Sequence, residues 1–161
     1  MRKRIYVGVL LTVVMFCGCA ADLRSGNKFQ GFADVQENKT QVYFVRNDNA
    51  MATKLPYVAV KVAKADSDGK AVEKMKTVAF VGKDMFVPAL MEPGTYVIKS
   101  GSSELVTFKP NDVMCLEVGG KYRGVTVYVV EPLPIDECSK VIRDMDEGVP
   151  LTEAIKRIQR K

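Results

Sequence analysis

The chain contains no histidine. That absence removes Ser-His and Cys-His nucleophile pairs, the commonest zinc and copper ligands, and the default proton carrier near neutral pH. A bilayer-spanning run is also missing: a spanning helix needs about 20 apolar residues, and the stretch from Ile5 to Phe16 falls short of that. No glycine-rich loop opens a helix, which leaves no phosphate cradle, and Gly119-Gly120 and Glu92-Pro93-Gly94 are too short to form one. Charge is nearly balanced as well. Of 24 basic residues against 19 acidic ones, Arg2, Lys3 and Arg4 sit in a leader with no acid, so the remainder lacks the broad positive field of nucleic-acid binders. No nucleic-acid partner is expected.

The leader itself carries the clearest message. Three positive residues, a short apolar segment, and Cys17-Gly18-Cys19-Ala20 follow one another in the order of a secretory signal. A cysteine just after a small residue resembles the lipobox of bacterial lipoproteins. Cys19, preceded by Gly18, fits better than Cys17, preceded by bulky Phe16. The expected organisation is a signal peptide over residues 1–18, a tether lipidated at Cys19 over 19–39, a β domain over 40–132 and helices over 133–161. Ala20 and Ala21, rather than an early Asp, follow the cysteine, which in enteric-type bacteria points to the outer membrane, facing the periplasm.

Residues 20–39 hold Gly26, Gly31 and scattered charges with little apolar periodicity, so they are read as a spacer onto which only Phe29 and Phe32 have reason to dock. From Thr40 the text changes to short Val-, Tyr-, Phe- and Thr-rich segments. Strands are expected over Thr40 to Arg46, Tyr57 to Ala65, Lys76 to Val81, Met85 to Met91, Thr95 to Ser100, Glu104 to Phe108, Val113 to Val118 and Tyr122 to Glu131. Asp66 to Lys70, Glu92-Pro93-Gly94, Gly101 to Ser103, Pro110-Asn111-Asp112 and Gly119-Gly120 supply turn chemistry and predict hairpins. So many short strands with no helix between them imply a mainly β fold, an antiparallel β-sandwich of transthyretin-like or immunoglobulin-like kind.

After Pro132 and Pro134 the period becomes helical, with Ile135, Cys138, Ile142 and Met145 on one stripe and Asp136 and Glu137 in the first turn. A second amphipathic segment runs from Leu151 to Arg160. With Cys17 in the leader and Cys19 lipidated, Cys115 and Cys138 are the pair available for oxidation outside the cytoplasm. Either they join, or each is a small buried hydrophobe. Cys115 lies on the strand face opposite Met114, Leu116 and Val118, so a helix laid over that second face would bring the two together; a Cα separation above about 7 Å excludes the bridge.

Other constellations read as structure. Ser67 and Lys70 match a Ser-x-x-Lys spacing, but in an exposed turn the lysine stays charged and is no base. Asp66 and Asp68 echo part of a calcium loop that Lys70 interrupts, so no metal site is expected. Lys156, Arg157, Arg160 and Lys161 form a basic tail suited to anionic headgroups or an acidic envelope polymer, or simply to a solvated helix face.

Val42-Tyr43-Phe44-Val45-Arg46, Leu55-Pro56-Tyr57-Val58, and Val81-Gly82-Lys83-Asp84-Met85-Phe86 leading to Glu92-Pro93-Gly94-Thr95-Tyr96 resemble the bacterial family called domain of unknown function 2846. The resemblance covers about Thr40 to Pro132. It implies a small exported sandwich and brings no catalytic residue. The expected role is a lipid-anchored, non-catalytic binding or structural module that uses no cofactor and has an envelope protein or polymer as partner. The alternative is an inhibitor or immunity-type protein that presents the Asp66 to Lys74 loop or the Gly101 to Ser103 tip to an enzyme. An enzyme would need a pocket of convergent carboxylates or lysines.

Overall fold

Alternating burial organises the chain from Thr40 onward in a computed structural model that describes residues 21–47, 55–122 and 125–160. In chain order the elements are β1 (Arg24–Lys28), β2 (Thr40–Arg46), β3 (Tyr57–Lys64), β4 (Lys76–Gly82), β5 (Met85–Met91), β6 (Gly94–Ser100), β7 (Ser102–Phe108), β8 (Asp112–Tyr122), β9 (Thr126–Leu133), α1 (Ile135–Ile142), β10 (Asp146–Gly148) and α2 (Leu151–Gln159). One sheet has the order β1-β10-β5-β2-β8-β9 and the other β4-β3-β6-β7. The chain is a β-sandwich with two short helices near its C-terminal end. Val42 and Phe44 from β2 and Leu116 from β8 meet Val60, Ile98 and Phe108 of the facing sheet, all buried. Each such side chain contributes about 1.5–3 kcal/mol through removal from water.

Neighbouring strands are mostly antiparallel, but two pairings are parallel. Thr40 through Val45 of β2 run beside Asp112 through Glu117 of β8, and Asp146 and Glu147 of β10 run beside Met85 and Phe86 of β5. Neither pair is joined by a tight turn, because the chain visits the other sheet or α1 in between, so nothing obliges the strands to reverse. For the same reason two expected hairpins are crossings between sheets. Glu92 and Pro93 carry the chain from β5 to β6, and Pro110 and Asn111 from β7 to β8. Gly101 does close a hairpin between β6 and β7. Gly119-Gly120 is not a turn: both lie inside β8, opposite Val129 and Tyr128, and the reversal comes after Tyr122. Gly119 takes a φ of 126°, open to glycine and unfavourable for other residues, so the feature that suggested a turn serves an irregular strand.

The spacer reading of residues 21–39 is overturned. Leu23 is buried in the core, its carbonyl accepts the Val149 amide hydrogen at 2.8 Å, and β1 pairs antiparallel with β10. The polar Arg-Ser-Gly-Asn-Lys run shows no alternation because it is an edge strand exposed along its length. It is held by backbone pairing and ion pairs rather than by burial. Phe29 and Phe32 do dock, packing edge-on against Tyr43 at centroid distances of 6.2 and 5.1 Å.

The outer face of the six-stranded sheet carries a second apolar layer. Tyr43, Val45, Phe86 and Cys115 point away from the main core and are covered by Cys138, Ile142 and Met145. α1 therefore lies over this face, as the alternation in β8 implied.

Candidate functional site

An open groove of about 760 Å³ lies on that outer face. Its floor comes from Tyr43 of β2 and Phe86 and Pro88 of β5, and its overhanging wall from residues 26–31. The wall stands because Phe29 packs edge-on to Phe86 at 5.8 Å and the Ala33 amide donates to the Tyr43 hydroxyl at 2.8 Å. β5 is paired with β10 only at Met85 and Phe86, so the groove follows the part of β5 whose second edge is open. Pro88 has no N–H to offer there, which blunts the edge against strand addition.

Polar groups at the rim are engaged in architecture. Lys28 Nζ and Arg24 Nε reach the Asp146 carboxylate at 2.7 and 3.3 Å, tying both ends of β1 to β10. Asn27 Nδ2 donates to Glu147 Oε2 at 3.0 Å, and Gln41 Nε2 donates to the Ala89 carbonyl at 3.2 Å. The Lys28 hydrogen bond holds the Asp146 carboxyl below its usual range, against a smaller opposing effect of burial. Because that pKa is lower folded than unfolded, the stabilisation is complete above the unfolded value of about 4 and disappears as pH falls through the lower folded value. Amide exchange in β1, corrected for intrinsic rate, should accelerate relative to β2 below about pH 4. Equal protection of the two strands through that range would refute the clasp.

Cys115 and Cys138 are joined as a disulfide, with Cα atoms 6.3 Å apart and both residues fully buried. The bridge is a buried staple between α1 and β8.

The basic tail is divided by the fold. Arg157 is turned inward: Glu153 Oε1 accepts from its Nε at 3.0 Å, and its Nη1 donates to the carbonyls of Asp22 and Arg24 at 3.0 and 3.1 Å. It clamps the start of β1 onto α2 while 35% of its side chain stays exposed. The same hydrogen bond lowers the pKa of Glu153. Lys156 and Arg160 are exposed, whereas Cys19 and Lys161 lie outside the described residues.

Both loops considered for enzyme recognition are tied down. Asp66 Oδ1 accepts the amides of Asp68 and Lys70 at 3.0 and 2.8 Å, which makes Asp66 to Lys70 a self-bonded turn and leaves Ser67 and Lys70 at its exposed tip. Glu73 accepts from the Lys64 amide, the main cause of its lowered pKa. At the other tip Gly101 is pressed against Tyr128, where a Cβ would stand 2.4 Å from that residue's own. No group of three or more His, Cys, Asp or Glu among the described residues is placed to hold a metal ion.

The pairing of an aromatic cluster with a polar wall was only partly visible beforehand. Phe29 and Phe32, three apart in an otherwise polar segment, were its one signal. Comparison of the chain with family models, curated proteins and solved structures finds no match. Among the described residues no helix is long and apolar enough to cross a membrane.

Proposed function

We propose that this chain is a lipid-anchored protein of the bacterial cell envelope, attached through Cys19 and facing the periplasm from the outer membrane, whose β-sandwich serves as a non-catalytic binding or structural module. The observation that carries the reading is the leader: positive end, short apolar core, then a cysteine behind glycine. Two features of the folded part support it. The Cys115–Cys138 disulfide belongs to an oxidising compartment. Leu23, four residues beyond the cysteine proposed to become the first mature residue, is already buried in the core, so the folded part begins close to that cysteine. The groove's charged rim is occupied in holding β1, which suits a surface that receives a partner rather than one that transfers protons. The resemblance to exported sandwich domains agrees with this reading.

Intact mass of the protein recovered from its native host tests it. The expected species begins at Cys19 and carries acyl chains, several of them, because one chain gives only reversible attachment. Cys19→Ala should abolish acylation and move the protein out of the membrane fraction. Recovery of the chain with residues 1–18 intact and unacylated from the cytosol would overturn the proposal.

A further inference from the structure

Resting on the reading of Cys19 as the acylated residue, we infer that the exposed face of α2 lies on the anionic headgroups of the membrane holding the lipid, so that the domain is seated against the bilayer rather than suspended from it. The argument starts from reach. Ala21 packs against the core, Leu23 is buried, and Arg157 grips the carbonyls of Asp22 and Arg24. Only Ala20 separates Cys19 from Ala21, two Cα steps that span at most about 7 Å. An acyl chain inserted at Cys19 therefore places the surface around Ala21 within headgroup distance. No spacer is available to lift it away.

α2 adjoins that surface through Arg157, whose guanidinium holds the Asp22 and Arg24 carbonyls. Leu151, Ala154 and Ile158 turn inward, with Ala154 buried and Ile158 packed on the core. The opposite face presents Thr152, Ile155, Lys156, Gln159 and Arg160, all exposed, at the i, i+3, i+4, i+7 and i+8 positions of one helical stripe. It carries no carboxylate, since Glu153 is bound to Arg157. Lys83 lines the depression beside Ala21 and Asp22 and adds a cation. Asp22 lines the same depression and sets one carboxylate against that cation. An exposed isoleucine flanking two cations suits an interfacial helix, which places apolar atoms at the acyl boundary and ammonium and guanidinium groups among phosphates.

Site-directed spin labelling of the full acylated protein tests this. Gln159→Cys reports from the helix face without altering its charge, and Ser103→Cys, on the β6–β7 hairpin, reports from elsewhere. In vesicles of phosphatidylglycerol and phosphatidylethanolamine, the label at 159 should collide less with a water-soluble nickel complex and more with membrane-dissolved oxygen than the label at 103. Adding Lys156→Glu and Arg160→Glu should lower the docked-to-undocked ratio by at least on the order of twenty-fold, at about fivefold per cation removed and more for the carboxylates introduced, while the lipid still holds the protein in the membrane. Equal water access at both positions in protein of confirmed acylated mass would overturn the inference and leave the anchor standing. Shielding at 159 from both reagents would overturn it in favour of a protein partner or second copy on this face. Protein lacking the acyl chain would overturn the anchor itself.

Discussion

Removal of the Cys115–Cys138 bridge by a Cys115→Ala/Cys138→Ala pair is expected to lower the unfolding free energy by about 3 kcal/mol. The estimate follows from freeing a loop closed over a separation of 23 residues in the unfolded chain. The native contacts around the bridge are apolar and survive its loss: Tyr43, Val45, Phe86, Ile142 and Met145 remain to hold α1 over the sheet. The variant should therefore fold, and its urea midpoint should fall with the steepness of the transition little changed. Because both cysteines are fully buried, a thiol reagent should reduce the native protein only as fast as α1 lifts or the chain unfolds. A loss below about 1 kcal/mol would mean that the helix is held by packing and the covalent bond adds little.

The second large effect is expected at Arg46. Its side chain shares the inward face of β2 with Val42 and Phe44 and is completely buried. Its Nη1 and Nη2 donate to the carbonyls of Val81 and Leu55 at 3.3 and 2.9 Å, which ties the end of β2 to the facing sheet. Arg46→Ala removes those donors and opens a cavity between the layers, with an expected loss of about 4 kcal/mol. Arg46→Met keeps most of the volume without the hydrogen bonds and should recover part of that loss. Denaturation of the two variants separates packing from polar satisfaction. Equal stabilities would assign the whole effect to the guanidinium, and an undiminished Arg46→Ala protein would refute the tie between sheets.

Residues that pack alternately were legible in advance. Val58, Val60 and Val62 announced β3, and the opposed faces of β8 placed Cys115 on the side that α1 covers. What escaped the pattern had no apolar side chains to reveal it. β1 and β10 are read as strands only once they find each other, because Arg24, Lys28 and Asp146 are charged and their strands lie at or near a sheet edge. Gly119-Gly120 misled because glycine marks both a turn and an irregular strand position of positive φ, which Gly119 adopts. Arg157 looked like its neighbours Lys156 and Arg160 in sequence, and only the carbonyls of Asp22 and Arg24 distinguish it. For the candidate site, the floor residues were recognised as strand and the wall was mistaken for spacer, since a wall of Gly, Asn, Lys and Gln acquires shape only from what it leans on.

The pairing of Arg24 with Gly148 sets a condition on when this molecule can acquire its final form. A ribosome must deliver the chain through Gly148 before β1 meets its mate, so this pairing cannot form from the front during synthesis. On the export route proposed above this is useful, because a nascent product that stays open longer remains threadable, and the clasp shuts only on the far side.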